Sequence, residues 1–205
     1  YGLLEDSQGY LWISTENGIS KMDTRSFSFT NYDRSDGLIC KEYNFNSFHK
    51  DAEGHMYFGG YNGMIFFHPN YIRENSDVPA LAFTQLKLFN HEIKPGEEKK
   101  AILHQQLNYS KELEFRHDQN VFTIEFTVLN YINAQKNKFA YKLEGFEEEW
   151  NYVKDPAATY MNLRPGRYSL LVKGSNNDGV WNKTPLTMQL HVLPPPWKTW
   201  WAYLI

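Results

Sequence analysis

The chain has 205 residues, 41% hydrophobic and 22% charged, with a formal net charge of −3, which is the make-up of one or two globular domains. The slight acidity and the lack of a long Lys/Arg block exclude a surface built to neutralise nucleic-acid phosphates, and no apolar run of 18 or more residues and no charged-then-apolar leader is present. It opens on Tyr1 rather than Met and stops in an apolar stretch at Ile205, so a piece of a longer polypeptide is expected.

The first elements repeat. "DSQGYLWISTENGISKMD" at 6–23 aligns without a gap to "DAEGHMYFGGYNGMIFFH" at 51–68, pairing Asp6 with Asp51, Gly9 with Gly54, Trp12 with Tyr57, Asn17 with Asn62 and Gly18 with Gly63 at an offset of 51 − 6 = 45 residues. In each copy Asp-x-x-Gly makes a turn, an aromatic and β-branched strand follows, and Asn-Gly supplies a hairpin turn. "FSFTNY" and "FNSF" between the copies alternate apolar and polar residues as further strands do. Multi-stranded units at this period are the mark of propeller blades. Trp12 and Tyr57 read as core between blades, whereas Tyr61 and Asn62, in a turn, are the ligand-binding candidates. Cys40, the single cysteine, reads as a small buried hydrophobe rather than a nucleophile.

These residues resemble the blade repeat of the two-component-regulator propellers of bacterial sensor proteins. "EDSQGYLWISTENGISKMD" is similar to a blade and "GHMYFGGYNGMIFFHPNYI" to the closing blade. A propeller needs about 4–8 blades and this chain encodes about two, so the resemblance implies further blades upstream.

"HPNYIRENSDVPA" at 68–80, polar and bounded by Pro69 and Pro79, reads as a linker, dividing a propeller end at 1–75 from a second domain at 76–195. There the strands alternate cleanly. Phe122, Ile124, Phe126 and Val128 share one face, as do Phe139, Tyr141 and Leu143, then Tyr168, Leu170 and Val172, then Met188, Leu190 and Val192. Strict alternation means one buried face per sheet, and with no helical periodicity the expectation is an all-β chain whose second domain is an antiparallel sandwich of the fibronectin type III or immunoglobulin kind. "LRPGRYSLLV" sets Leu163, Pro165 and Gly166 just before Tyr168, the arrangement of a tyrosine corner. "NNDGVW" reads as a tight Asp178-Gly179 loop with Trp181 folding over the core edge. "GEEKK" at 96–100 and Glu147, Glu148 and Glu149 of "EGFEEEW" read as solvated, although paired carboxylates do serve glycosidases.

The stretch from "FAYKLEGFEEEWNYV" through "ATYMNLRPGRYSLLVKGSNNDGVW" resembles the triple-tyrosine domain, with Tyr141, Tyr160 and Tyr168 as its name tyrosines. That resemblance implies a transmembrane helix next. The final "PPPWKTWWAYLI" then reads as a stiff polyproline spacer, an aromatic belt of Trp197, Trp200 and Trp201, and the first turn of a span at 196–205; the alternative is a last strand capped by aromatics. No metal spacing, phosphate loop or nucleophile–base pattern accompanies the seven histidines, so no cofactor and no catalysis are expected of this stretch.

The two resemblances together imply the sensor region of a bacterial hybrid two-component regulator, anchored on the periplasmic face of the inner membrane. They also imply a homodimer that passes ligand binding in the propeller, with a glycan as the expected ligand, to a cytoplasmic histidine kinase. The alternative is an accessory module of a secreted glycan-active enzyme or an adhesion protein.

Overall fold

The computed structural model describes residues 1–96 and 102–198 and divides into two compact units, Tyr1–Asn75 and Ser76–Ile205. No helix among the described residues is long and apolar enough to cross a membrane.

The first unit is two antiparallel sheets. β1 (Leu3–Glu5), β2 (Tyr10–Thr15), β3 (Gly18–Asp23) and β4 (Phe29–Tyr32) form one in that order, and β5 (Tyr43–Lys50), β6 (Met56–Gly60) and β7 (Gly63–Phe67) the other. Trp12, Ile19, Cys40, Tyr43, Met56, Phe58 and Ile65 are buried together. The two copies of the repeat fold alike because the same carboxylate organises both. Asp6 Oδ1 accepts from the Gln8 and Tyr10 backbone amides while its Oδ2 accepts from Trp12 Nε1 at 2.9 Å. Asp51 Oδ1 likewise accepts from the Glu53 and His55 amides, and its Oδ2 from the Tyr57 hydroxyl at 3.1 Å.

The hairpin turns differ from an Asn-Gly turn with both central residues left-handed. Thr15 stands opposite Gly18 and Gly60 opposite Gly63, so Glu16-Asn17 and Tyr61-Asn62 are the central pairs and only the following glycine takes positive φ, +108° and +135°. Gly18 is doubly constrained, since a Cβ there would lie 2.0 Å from the Tyr32 carbonyl oxygen.

The second unit is a sandwich. One sheet runs β9-β8-β11-β14, from β8 (Leu81–Leu88), β9 (His91–Glu92), β11 (Val121–Val128) and β14 (Ala157–Met161). The other runs β10-β16-β15-β12-β13, from β10 (Glu112–Phe115), β12 (Lys138–Glu144), β13 (Asn151–Val153), β15 (Gly166–Ser175) and β16 (Leu186–Val192). All pairs are antiparallel except β10 with β16, which is parallel. Phe122, Ile124, Phe126 and Val128 face Leu143, Leu170, Val172, Met188 and Leu190 across the core. On the opposite side of β11, Thr123 pairs with Thr159 and Glu125 with Lys87.

The linker expected at 68–80 is shorter than its polarity suggests. Pro69–Tyr71 forms a short 3-10 turn capped by the His68 side chain, which accepts from the Asn70 amide, and Ile72 packs on the core of the first unit.

Candidate functional site at the two ends of the sandwich

Strand direction defines two ends. The chain arrives at the start of β8 and leaves from the end of β16. Because β8 pairs antiparallel with β11, which runs from Val121 to Val128, Val128 lies opposite Leu81 at the arriving end. In the facing sheet, the antiparallel pair of β15 and β16 puts Gly166 opposite Val192 at the leaving end.

The arriving end is held by asparagines. Asn176, fully buried, accepts at Oδ1 from the Asp178 and Val180 amides and donates from Nδ2 to the Asp77 carbonyl at 2.9 Å. It thereby ties the incoming segment to the β15–β16 loop. Asn182 accepts from the Gly174 amide. Asn130 donates to Asn137 Oδ1 at 2.8 Å and to Asn177 Oδ1 at 3.1 Å. A buried primary amide satisfies carbonyls and N–H groups at once, which suits it to sealing a loop cluster against an apolar core. Asp178-Gly179 forms the tight loop, with Gly179 at φ +82°. Trp181 bridges back to Ser175 and sets its ring edge-on to Tyr152 at 5.8 Å.

The leaving end carries the corner. Tyr168 is buried, and its hydroxyl donates to the Arg164 carbonyl at 2.9 Å, spanning the turn that Pro165 stiffens before Gly166 opens β15. Leu163 packs on the core beneath. The chain then leaves β16 along β10, with the Leu193 amide donating to the Phe115 carbonyl at 2.8 Å. Trp197 meets the His117 ring edge-on at 5.0 Å and is otherwise exposed. Trp200, Trp201 and the expected start of a span lie outside the described residues, as does most of the "GEEKK" loop.

The three tyrosines do not form one site. Tyr141 and Tyr160 meet edge-on at 6.2 Å, whereas Tyr168 stands apart at the corner. Tyr160 also donates to Glu147 Oε2 at 3.2 Å, and the same oxygen accepts from the Leu143 amide at 2.7 Å. Glu147 therefore departs from the solvated reading: it staples the loop after β12 to a core tyrosine. Burial, then the Glu147 charge and the neighbouring Tyr141, push the Tyr160 phenol far above its ordinary range, and burial and Glu147 raise Tyr141. In the first unit, the Tyr61 side chain is exposed in the β6–β7 turn beside Asn62. Glu147 and the asparagines escape sequence reasoning because both residue types are common in open loops, and only the spacing to Tyr160 or Asp77 in space gives them a role.

Residues 130–193 match the Y_Y_Y domain and residues 1–17 the two component regulator propeller. The chain is 35% identical over its full length to histidine kinase P4 of Formosa agariphila, of which it covers 15%. Among solved structures it is similar to the extracellular domain of BT3049 from B. thetaiotaomicron, assigned to a hybrid two component system, at 28% identity and a TM-score of 0.77, covering 94% of this chain and 26% of that one. It is also similar to the extracellular domain of BT4673 of the same organism, at 26% identity and a TM-score of 0.54, covering 95% and 25%. The chain thus spans about a quarter or less of the length of these relatives.

Proposed function

We propose that this chain, the end of a two component regulator propeller followed by a Y_Y_Y domain in the extracytoplasmic sensor region of a two-component system, is the strut that carries a ligand signal from propeller to kinase. The observation that supports this is the separation of the two ends of the sandwich. The incoming segment is bound at one end through Asn176 and Asp77, and the outgoing segment is bound at the other through Phe115 and Leu193. The ten residues of β15 span about 33 Å between them at the rise of a strand. Close-packed β-structure of this kind transmits displacement with little compliance. The ligand, a glycan on this reading, binds in the complete propeller; the chain itself does no chemistry, and the kinase output belongs to the whole protein.

Paired kinases need their connecting segments near a two-fold axis, so the sandwiches associate with the same patch on both subunits, and "PPPWKTWW" leads into a membrane anchor. The test is mechanical. Inserting flexible Gly-Ser residues after Pro196 in the full-length protein adds slack and should weaken kinase output while leaving ligand affinity unchanged. Lys198→Cys in a Cys40→Ser background should give a disulfide between subunits whose yield changes with ligand. Normal output through the insertion, or no crosslink at any position from Pro194 to Trp201, would refute the strut.

A further inference from the structure

A cavity of about 290 Å³ lies at the leaving end of the sandwich, near the lower edge of the roughly 300–1,000 Å³ typical of small-molecule sites. Three separate segments wall it. The β10–β11 turn contributes Arg116, His117, Gln119 and Asn120, the corner loop contributes Asn162 and Leu163, and the outgoing segment contributes Trp197. None of the described residues lining it is acidic.

Among the described residues, the polar groups of these walls are only partly used by one another. Asn120 Nδ2 donates to Asn162 Oδ1 at 2.6 Å, which leaves the Asn162 amide protons for another acceptor. Asn162 sits at φ +53° and is tied through its own N–H to the Asn120 carbonyl at 2.8 Å, so its backbone and its side chain are both held by Asn120. Gln119 Oε1 accepts from the Arg116 amide, leaving its Nε2 protons. The Arg116 guanidinium has one nitrogen on Asp118 at 3.0 Å, a half-exposed pair of the kind worth little in water, and its other N–H groups meet no acceptor among the described residues. The walls thus combine a permanent cation, an imidazole and amide donors over an apolar floor of Phe122 and Leu163, with an indole at the rim.

We propose that this cavity is a binding site for a small anion, a phosphate or carboxylate carried on a compact apolar or aromatic body, with Arg116 as the charge partner and Trp197 packing on the body. Arg116 and the amide donors select the anion, which competes with Asp118 for the guanidinium, since charge-assisted hydrogen bonds are the strong ones. The floor and the indole select the attached group. An occupant would touch the corner, the β10–β11 turn and the outgoing segment together. Binding does not depend on the sensor role and can be tested without it.

The experiment is calorimetric titration of the full-length protein in nonionic detergent with phenyl phosphate, benzyl alcohol as the uncharged analogue and dihexanoylphosphatidylglycerol as a lipid phosphate. Phenyl phosphate should bind in roughly the millimolar range expected of so small a ligand. Arg116→Gln and Trp197→Ala should each weaken it by at least about tenfold, whereas Arg25→Gln, in the first unit, should not. Tighter binding of the lipid phosphate would assign the site to a headgroup, and tighter binding of phenyl phosphate to a soluble anion. Equal binding of benzyl alcohol, an undiminished affinity in Arg116→Gln, or no binding of either phosphate would overturn the proposal. Arg116 is half exposed, so its replacement leaves the fold intact for the comparison.

Discussion

Tyr168→Phe isolates the corner hydrogen bond without disturbing packing. The ring stays in the core beside Leu170 and Leu163; only the hydroxyl that donates to Arg164 at 2.9 Å is lost. A neutral hydrogen bond of this kind is worth about 0.5–1.5 kcal/mol net, and an orphaned buried acceptor adds up to about 1–3 kcal/mol. Arg164 is an exposed residue, so water can reach its carbonyl and the lower range applies. The expected cost is about 1 kcal/mol, or a fall of roughly 3–5 °C in the melting temperature of a domain of this size. Tyr168→Ala removes the ring as well and should cost about 3–5 kcal/mol. Urea denaturation followed by a probe in the sandwich separates these values. A Tyr168→Phe midpoint equal to wild type would refute the corner as an energetic element, and a loss as large as that of Tyr168→Ala would mean that the hydroxyl and not the ring holds the turn.

Glu147→Ala leaves the Leu143 amide and the Tyr160 hydroxyl without their acceptor and should cost about 1–2 kcal/mol, with Glu147→Gln recovering most of it; thermal unfolding of the pair measures this. Asn176→Ala strips partners from the Asp178 and Val180 amides and the Asp77 carbonyl at a fully buried position, so a loss of about 2–4 kcal/mol is expected, together with faster hydrogen exchange at those two amides. The raised phenols should make the protein alkali-sensitive. Burial, with a smaller push from Cys40, raises Tyr43 to about 12, and Tyr141 and Tyr160 are raised too. Below their ordinary value of 10.0 both states are neutral and stability is complete. Above it the unfolded phenols ionise first, and stability is lost as pH rises toward the folded values. Ultraviolet titration should show a late tyrosine phase that coincides with unfolding, and ionisation of every tyrosine near pH 10.0 in the folded protein would contradict it.

Much of the architecture is legible in the sequence because it rests on local rules. Period-two alternation in "VFTIEFTVL" places Phe122, Ile124, Phe126 and Val128 inside, and the 45-residue repeat sets Asp6 and Asp51 at equivalent turns, since a carboxylate two and four residues from free amides can close such a turn wherever it occurs. The corner is legible for the same reason: Tyr168 reaches back only four residues to Arg164. What the tertiary structure decided lies at long range. Asn176 meets Asp77 across 99 positions, Trp197 meets His117, and the parallel pairing of β10 with β16 depends on which edge the sandwich leaves open. The hairpin register also escaped the Asn-Gly pattern: in both copies the glycine closes the loop opposite Thr15 or Gly60 instead of sitting at its centre, and at Gly18 the Tyr32 carbonyl leaves no room for a Cβ. Residue type and spacing fix what a segment can bond to nearby; only the packing of distant strands selects which polar groups are buried together and therefore must be paired.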